Sequence, residues 1–271
     1  MSNKLDAVFT IDKNYIVHFS TALLSLLENN RDITFRIFLI YDGVRDDLEE
    51  AFSFFRSRYG VEITALDIDP SLFKDFRITH HIKQATYFRL CMADILPDDV
   101  DKILYLDSDL IVNGSVSELA AIQTGDEYLH AVEHLFPDSN KEHLAQFGIP
   151  SDSDYFNAGV MLINLKKWRE DGLTRKLMTF ALERRDDILW WDQDVLNILL
   201  RNSWEKMHPR FNFVWEIMES TSDRKDIKEA QAEPVIIHYT RSVKPWHSNS
   251  YHPYRHLYHK YRAMVPFGDD I

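Results

Sequence analysis

Short apolar runs alternate with amphipathic stretches along most of this chain. Runs rich in Val, Ile, Leu and aromatic residues predict strands, and they fall near residues 6–11, 34–41, 61–66, 103–106, 128–133, 158–163 and 235–239. The stretches between them have a helical period, at residues 15–29, 45–58, 85–94, 116–122, 164–185 and 192–201. This alternation predicts an α/β fold with a mixed, mostly parallel central sheet that is flanked by helices on both faces.

The same pattern locates a candidate binding edge. In open α/β sheets, ligands bind beyond the carboxyl ends of the strands, so the loops after "FTI" (9–11) and "LYL" (104–106) are candidate sites. Neither G-x-G-x-x-G nor the P-loop motif occurs in the sequence, which disfavours a Rossmann dehydrogenase and a P-loop enzyme. The polar stretch 219–234 is predicted to be a surface excursion.

Composition limits the class of protein. The chain has 271 residues, of which 45% are hydrophobic, and this length fits one domain. The longest apolar runs are about eight residues, whereas a membrane-spanning helix needs roughly 20. The first residues contain no apolar signal segment, and Cys91 is the only cysteine. We therefore expect a cytoplasmic protein without an internal disulfide.

The charge is unevenly distributed. A net charge of −12 argues against a general nucleic-acid binder, which needs a basic face to displace phosphate counterions. Residues 238–262, by contrast, contain five Lys or Arg, five His and no Asp or Glu. A basic segment on an acidic protein suits an anionic ligand or an anionic membrane surface. We expect no nucleic-acid partner and, at most, weak peripheral contact with a membrane.

Asp-x-Asp occurs five times in the chain, so the motif alone means little. Only Asp107 and Asp109 directly follow a four-residue apolar strand, "ILYL", which would hold them at the carboxyl edge of the sheet. Two carboxylates in that position repel each other and are costly to desolvate unless a cation joins them. Hard oxygen ligands favour Mg²⁺ or Mn²⁺. The alternative is a solvated loop whose aspartates cap the next turn.

Two metal-dependent chemistries use an apolar strand that ends in Asp-x-Asp. In haloacid-dehalogenase-like phosphatases the first Asp attacks phosphorus, whereas in GT-A glycosyltransferases both carboxylates serve a divalent ion and the donor nucleotide. The phosphatase motif usually opens its domain, but about a hundred residues precede Asp107 here. Position therefore favours a nucleotide-binding half that comes first, with a phosphatase as the second interpretation.

Seven sequence blocks occur in an order that resembles glycosyltransferase family 8, retaining GT-A enzymes that include bacterial lipopolysaccharide galactosyl- and glucosyltransferases. The blocks are "FTIDKNY" (9–15), "TYFRL" (86–90), "KILYLDSDLIV" (102–112), "YFNAGVMLINLKKWR" (155–169), "WDQDVLN" (191–197), "RFNF" (210–213) and "HYTRSVKPWH" (238–247). The resemblance covers roughly residues 6–267 and implies a single GT-A (Rossmann-like) domain over 1–271, with segment 238–262 closing the site. It further implies a UDP-glucose or UDP-galactose donor, Mn²⁺ (alternatively Mg²⁺), and a glycan or lipopolysaccharide-type acceptor.

The resemblance also implies roles for individual residues. Asp107, Asp109 and His238 would bind the metal ion, and Lys244 the donor diphosphate. A neutral imidazole beside two carboxylates suits Mn²⁺, and a point charge can follow the negative charge of the leaving group. The whole set implied for the UDP-sugar is Asp12, Asn14, Tyr15, Arg89, Asp107, Ser108, Asp109, Asn157, Asp192, Gln193, His238, Arg241 and Lys244. Tyr15 has an alternative explanation as a core aromatic, and Arg89 as a salt-bridge residue.

Asn157, Asp192 and Gln193 are the implied catalytic residues. Their polar groups can hydrogen-bond sugar hydroxyls and share the charge of an oxocarbenium-like transition state. Retention requires either a carboxylate nucleophile or attack on the face from which the leaving group departs. Gln193, implied to lie nearest the anomeric carbon, is a poor nucleophile. We therefore favour same-face attack, with Asp192 as the alternative nucleophile.

Two positions depart from the family pattern. His134 stands where an aspartate is usual, and Arg241 where a glycine is common. The Arg241 guanidinium could grip the diphosphate or crowd it. His81 either matches a position near the active site of some relatives or is a surface histidine. These departures leave open a UDP-sugar-binding protein that has lost turnover.

The tail carries an aromatic pattern. Tyr251, Tyr254, Tyr258 and Tyr261 have helical spacing and predict a short helix that packs through its tyrosines. A zinc site at the i, i+4 pair His252 and His256 is the alternative.

Overall fold

The computed structural model describes residues 3–76, 84–135, 141–149 and 155–268, and a seven-stranded sheet forms its centre. The strands are β1 (Asn3–Asp12), β2 (Ile33–Asp42), β3 (Ile63–Asp67), β4 (Lys102–Leu106), β5 (Leu110–Val112), β6 (Leu129–Glu133), β7 (Phe156–Asn164), β8 (Trp204–Lys206) and β9 (Ile236–His238). The order in the large sheet is β3–β2–β1–β4–β7–β6–β8, and β5 and β9 form a separate pair.

The central sheet is mixed, as predicted. Strands β1 to β4 run parallel to one another, whereas β7 runs antiparallel to both β4 and β6. Because β7 has the opposite direction, its first residues lie at the same edge as the last residues of β1 and β4. All nine residues of β7 are buried, so this edge has a rigid central strand.

Helices cover both faces of the sheet. They are α1 (Ile16–Glu28), α2 (Glu49–Tyr59), α3 (Met92–Ile95), α4 (Ser117–Ala121), α5 (Lys141–Gln146), α6 (Leu165–Glu170), α7 (Leu173–Glu183), α8 (Trp191–Leu199), α9 (Trp215–Met218), α10 (Lys225–Ala232) and α11 (Arg255–Arg262). One apolar core joins α1, α2 and α11 to the sheet, and a second joins α7 and α8 to it. Within the described ranges, none of these helices has the length and apolar content that crossing a bilayer requires.

The apolar pattern missed several short elements. Strands β5 and β8 have three residues each, too few to show a period. Helix α10 lies inside 219–234, so the prediction of a surface excursion was wrong for this part. Ile227 and Ala230 of α10 are fully buried, because a spacing of three places both on the helix face that meets the core.

The C-terminal segment packs back on α1. The Tyr258 hydroxyl lies 2.7 Å from His18 Nδ1, and Asn29 Nδ2 donates to the Tyr261 hydroxyl at 2.7 Å. The predicted tyrosine-packed helix is thus confirmed for α11, although Tyr251 precedes it and is 65% exposed. In the described part of the chain, His252 and His256 belong to no group of three potential metal ligands.

Asn197 fastens α8 to β7. Its side-chain oxygen accepts from the Phe156 backbone N–H at 2.7 Å, and its Nδ2 donates to the Phe156 carbonyl at 2.9 Å. The residue is fully buried. Asn197 therefore fixes the first turn of α8, which carries Asp192 and Gln193, against the start of β7, which carries Asn157.

Replacing Asn197 with alanine should lower the free energy of unfolding by about 3 kcal/mol, because the substitution leaves a buried N–H and a buried C=O of Phe156 unpaired. Urea unfolding measures this change. The matched control is Asn113→Ala, at an exposed position where the amide donates to the Pro234 carbonyl at 3.4 Å. The control should change stability by less than about 0.5 kcal/mol, and equal losses in both variants would contradict the role of Asn197.

Candidate active site

A cavity of about 580 Å³ opens at the carboxyl ends of β1 and β4. Residues of the predicted donor-binding set that line it are Asp12, Tyr15, Arg89, Asp107, Ser108, Asp109, Asn157, Asp192, Gln193, His238, Arg241 and Lys244. Asn14 does not line it. The site residues thus come from six separate sequence blocks that the sheet edge brings together.

Asp107, Asp109 and His238 form a candidate metal centre. One potential ligand atom from each lies within 4.8 Å of the others. His238 Nε2 is 3.1 Å from Asp109 Oδ1 and 3.6 Å from Asp107 Oδ2. Antiparallel pairing of β5 with β9 sets Leu110 opposite His238, and this brings the histidine beside Asp109. Two carboxylates and an imidazole are a donor set that suits Mn²⁺ or Mg²⁺.

Hydrogen bonds fix the tautomer of His238. The Gly159 backbone N–H donates to Asn157 Oδ1 at 3.0 Å, and Asn212 Nδ2 donates to the same oxygen at 2.8 Å. Asn212 therefore presents its oxygen to His238 Nδ1, 2.9 Å away. Since an amide oxygen can only accept, Nδ1 carries a proton, and Nε2 would present its lone pair to a cation bound between the two carboxylates. Three electron-pair donors that converge in this way fit a cation.

Gly159 leaves the space that this cluster occupies. A Cβ at this position would lie 2.1 Å from His238 Cε1 and 2.7 Å from Asp107 Oδ2. Any side chain here would displace the imidazole or the carboxylate. The glycine in "FNAG" is therefore required by close approach within a buried strand.

Lys244 adds a positive charge beside the cluster. Its Nζ lies 2.6 Å from Asp109 Oδ2 and 2.6 Å from the Tyr239 carbonyl oxygen. Burial alone would raise the pKa of the Asp109 carboxyl, but Lys244 and His238 together hold it well below its usual range. Asp109 is thus ionised and ready to bind a cation.

Arg89 joins the first aspartate to a third carboxylate. Its guanidinium lies 2.9 Å from Asp107 Oδ1 and 2.9 Å from Asp192 Oδ2, and it stacks 4.6 Å from the centroid of the Tyr105 ring. Burial raises the pKa of Asp192 to about 7, against the opposing effect of Arg89. The sequence suggested either a cavity residue or a salt-bridge residue at Arg89. In the structure it is both, because it lines the cavity and forms buried ion pairs.

The amide side chains are held by backbone groups. Gln193 Oε1 accepts from the Ala158 N–H at 3.0 Å, and Gln193 Nε2 lies 3.4 Å from the Tyr155 hydroxyl. Asn157 uses only its oxygen in the bonds described above, and its Nδ2 has no hydrogen-bond partner among the described residues. Asn157 therefore keeps a donor for a ligand in the cavity.

The loop after β1 carries the remaining predicted donor-binding residues. Asp12 Oδ1 accepts from the Asn14 backbone N–H at 2.7 Å and from Asn14 Nδ2 at 3.1 Å. Asn14 thus shapes the loop from outside the cavity. The ring of Tyr15 lines the cavity and also meets Trp246 edge-on at 6.1 Å.

Trp246 anchors the segment that carries Lys244. Its ring stacks on His18 with centroids 3.6 Å apart. Burial lowers the pKa of His18 to about 4, so this imidazole is neutral and packs as an apolar ring at neutral pH. The stack ties the loop 244–246 to α1.

The other Asp-x-Asp pairs have structural roles in the described part of the chain. Asp67 pairs with Arg45, and Asp99 with Arg36, both at exposed positions. Asp194 caps the turn before α8 by accepting the Leu189 and Trp190 N–H groups at 2.8 and 2.9 Å. The pair at 152 and 154 lies outside the described residues, as does His81. The solvated-loop alternative fits the exposed pairs at 67/69 and 99/101, but it fits neither Asp107 and Asp109 nor the buried Asp192 and Asp194.

Both departures from the family pattern border the cavity. Burial lowers the pKa of His134 to about 4, so the ring is neutral at physiological pH. Its neighbour Glu133 points away, as strand alternation predicts, and pairs with Lys206 at 2.8 Å and with Arg224. The Arg241 guanidinium lies 4.1 Å above the Trp215 ring and donates to the Tyr251 hydroxyl at 3.4 Å.

Sequence reasoning missed several cavity residues. Trp190, Trp191 and Glu216 line the cavity, and Asn212 and Gly159 shape it from behind. Three of these, Trp191, Asn212 and Gly159, lie within the seven blocks, so the blocks indicated the region without indicating the role. Glu216 follows "RFNF" in a short helix that has no distinctive spacing.

Comparison with known proteins places the chain among sugar transferases. A family model described as Glycosyl transferase family 8 matches residues 6–250. General stress protein A of Bacillus subtilis (strain 168) is 30% identical over 267 residues, which cover 95% of this chain and 92% of that protein. Lipopolysaccharide 1,3-galactosyltransferase of Salmonella typhimurium is 29% identical over 277 residues, which cover 98% and 80%. The crystal structure of the galactosyltransferase LgtC with donor and acceptor sugar analogs matches with a TM-score of 0.87, 28% identity and 98% coverage of both chains. This match confirms the predicted GT-A fold.

The raised pKa of Asp192 makes its effect on stability depend on pH. Between about pH 4 and 7 the folded carboxyl holds a proton that the unfolded one has lost, so its contribution to stability falls as pH rises through this range. Asp192→Asn should therefore become more stable relative to the wild type from about pH 5 to about pH 8. Urea unfolding at several pH values tests this, with the exposed Asp126→Asn as control. A stability difference that stays constant with pH would contradict the burial effect.

Proposed function

The chain belongs to glycosyltransferase family 8, and we propose that it is a retaining, metal-dependent hexosyltransferase. On this proposal it transfers glucose or galactose from a UDP-sugar to a glycan or lipopolysaccharide-type acceptor. The observation that carries the proposal is the convergence of Asp107, Asp109 and His238 inside a cavity of substrate size. The named galactosyltransferases support a hexose donor. Family membership speaks against the phosphatase interpretation.

We assign Asp107, Asp109 and His238 to Mn²⁺, with Mg²⁺ as the alternative ion. A divalent cation held by these three residues would neutralise the charge that develops on a departing diphosphate. Lys244, whose ammonium already lies beside Asp109, supplies a second positive charge for the diphosphate. Arg241 supplies a third from the cavity wall, because its stacking on Trp215 supports a grip on the diphosphate without crowding.

The loop after β1 is assigned to the nucleoside. Asp12 can accept hydrogen bonds from ribose hydroxyls, and Tyr15 can stack on the uracil ring. Asn14 acts by holding Asp12, to which it donates twice. The Ser108 hydroxyl is buried at the cavity wall and has no hydrogen-bond partner among the described residues, so we assign it to the donor as well.

Asn157, Asp192 and Gln193 are assigned to the transferred sugar. Asn157 Nδ2 can donate to a hydroxyl, and Asp192 is held in place by Arg89. A carboxyl with a pKa of about 7 is only partly ionised at neutral pH, and its ionised form is paired with Arg89, which weakens it as a nucleophile. Both the oxygen and the nitrogen of the Gln193 amide already have hydrogen-bond partners within the protein. These features favour same-face attack over a double displacement through Asp192.

The remaining expectations concern the whole molecule. We propose one functional domain over 1–271, in which segment 238–262 closes the site, since His238, Arg241 and Lys244 all line the cavity. We propose a cytoplasmic location with, at most, peripheral contact with a membrane. A UDP-sugar-binding protein without turnover is the competing function, because His134 and Arg241 border the site.

Calorimetric titration should show UDP binding that depends on Mn²⁺, and a UDP-hexose with a saccharide acceptor should release UDP. Asp109→Ala should abolish the metal-dependent part of UDP affinity, because it removes a ligand atom of the cation. The control Asp101→Ala changes an exposed aspartate of another Asp-x-Asp pair and should bind normally. If the wild type binds UDP but releases none from any UDP-hexose with a broad acceptor panel, the protein is a binder and not a transferase.

Lys244→Ala should shift two affinities in opposite directions. UDP should bind about 10-fold more weakly, because a charged hydrogen bond to the diphosphate is lost. Mn²⁺ alone should bind more tightly, since the ammonium no longer competes for Asp109. Calorimetry measures both, with the exposed Lys228→Ala as control. Weaker binding of Mn²⁺ in Lys244→Ala would refute this assignment.

A further inference from the structure

Among the described residues, Glu216 is a carboxylate in the cavity without a counter-charge. Of the other acidic groups that line the cavity, Asp107 and Asp192 pair with Arg89, Asp109 pairs with Lys244, and Asp12 accepts hydrogen bonds from Asn14. Glu216 Oε2 is buried and has no hydrogen-bond partner in the described part of the chain, and the residue lines the same cavity. A buried, unpaired carboxylate oxygen is costly, so its position favours a bound hydrogen-bond donor.

Trp191 presents the complementary group. Its indole Nε1–H is buried at the cavity wall and has no hydrogen-bond partner among the described residues. The indole nitrogen can only donate. Trp191 also adopts φ of 47°, a left-handed conformation that is strained for a bulky residue. Strain of this kind clusters at ligand sites where the surroundings enforce it, and here Asp194 holds the preceding turn through two backbone N–H groups.

An acceptor oxygen and a donor N–H that line one cavity match a ligand rich in hydroxyl groups. A hydroxyl can donate to Glu216 and accept from Trp191. Trp190 meets Trp191 edge-on at 6.3 Å and is 36% exposed, so an aromatic face is also accessible at the cavity wall. Polar groups beside accessible aromatic rings suit a saccharide, which has an apolar face and a rim of hydroxyls.

The charge of Glu216 indicates which substrate it meets. A carboxylate without a counter-charge would repel a diphosphate and would weaken binding of the donor nucleotide. It would also disfavour an acceptor that carries a uronate or a phosphate. We propose that Glu216 and Trp191 form an acceptor subsite that binds the hydroxyl groups of a neutral saccharide. This inference rests on the proposed transferase function and adds the chemical class of the acceptor.

The test uses Glu216→Gln and Trp191→Phe in the full chain. The first keeps the shape and removes the charge, and the second keeps an aromatic ring and removes the N–H. Matched controls outside the cavity are the exposed Glu205→Gln and the half-buried Trp204→Phe. Three quantities are measured: calorimetric affinity for UDP with Mn²⁺, UDP release from the UDP-hexose in water, and transfer to two kinds of acceptor, namely methyl glycosides and disaccharides of glucose and galactose, and methyl glucuronides.

Each cavity variant should raise the acceptor KM about 10-fold, the cost of one lost hydrogen bond to a charged or buried group. UDP affinity and hydrolysis in water should change less than about twofold, and both controls should match the wild type. Glu216→Gln should also narrow the preference for neutral glycosides over glucuronides, because the repelling charge is gone. Thermal unfolding checks that each variant is folded. If Trp191→Phe is unfolded, the result for Glu216→Gln alone decides whether the subsite exists.

Three results would overturn the subsite. They are unchanged acceptor KM in folded variants, a loss of UDP affinity that equals the rise in KM, and a wild type that binds UDP yet transfers to none of the neutral saccharides. Failure of the wild type to bind UDP is a different result, since it refutes the proposed function itself, and the subsite falls with it.

Discussion

Repulsion between Asp107 and Asp109 is the constraint on which the rest of the site depends. These carboxylates follow a strand that is buried apart from its first residue, and their side chains are only 22% and 16% exposed, so water screens them weakly and other parts of the chain must neutralise them. Arg89 comes from the segment before α3, and Lys244 and His238 come from the last quarter of the chain. The three groups belong to elements far apart in sequence, and the fold is the arrangement in which they can meet.

A series of hydrogen bonds that starts at the backbone fixes the orientation of His238 beside these aspartates. A single N–H of Gly159 orients Asn157, which orients Asn212, which sets the tautomer of His238. The same glycine provides the space for the imidazole. Each member of this relay is held by a strand or by a buried turn, so the lone pair of His238 does not depend on mobile side chains. Sites with such support lose little free energy to ordering when a ligand binds.

The cavity has two kinds of wall. Around the aspartates, every charge has a partner within the protein, and the groups are held in place before any ligand arrives. At Trp191 and Glu216, by contrast, one polar atom each has no hydrogen-bond partner among the described residues, and the backbone of Trp191 is strained. Strained backbone and unpaired polar atoms are unfavourable in free energy, and proteins retain them mainly at functional sites. The cavity thus combines paired charges, which stabilise the fold around the aspartates, with unpaired polar groups, which are available to a substrate.

The amino-acid sequence was sufficient to predict the α/β class, the main strands and helices to within a few residues, and the importance of "LDSD", because these depend on local period and on one apolar run followed by charge. It also indicated the blocks that line the cavity. It could not reveal β5 and β9 as a pair, the packing of α10, or the roles of Gly159, Asn212, Trp191 and Glu216. Those depend on contacts between segments from about 25 to 130 residues apart, for which no short-range pattern exists. How closely His238 and Lys244 approach Asp109, and how Arg89 joins Asp107 to Asp192, emerged from the three-dimensional structure alone, because charge balance is a property of neighbours in space.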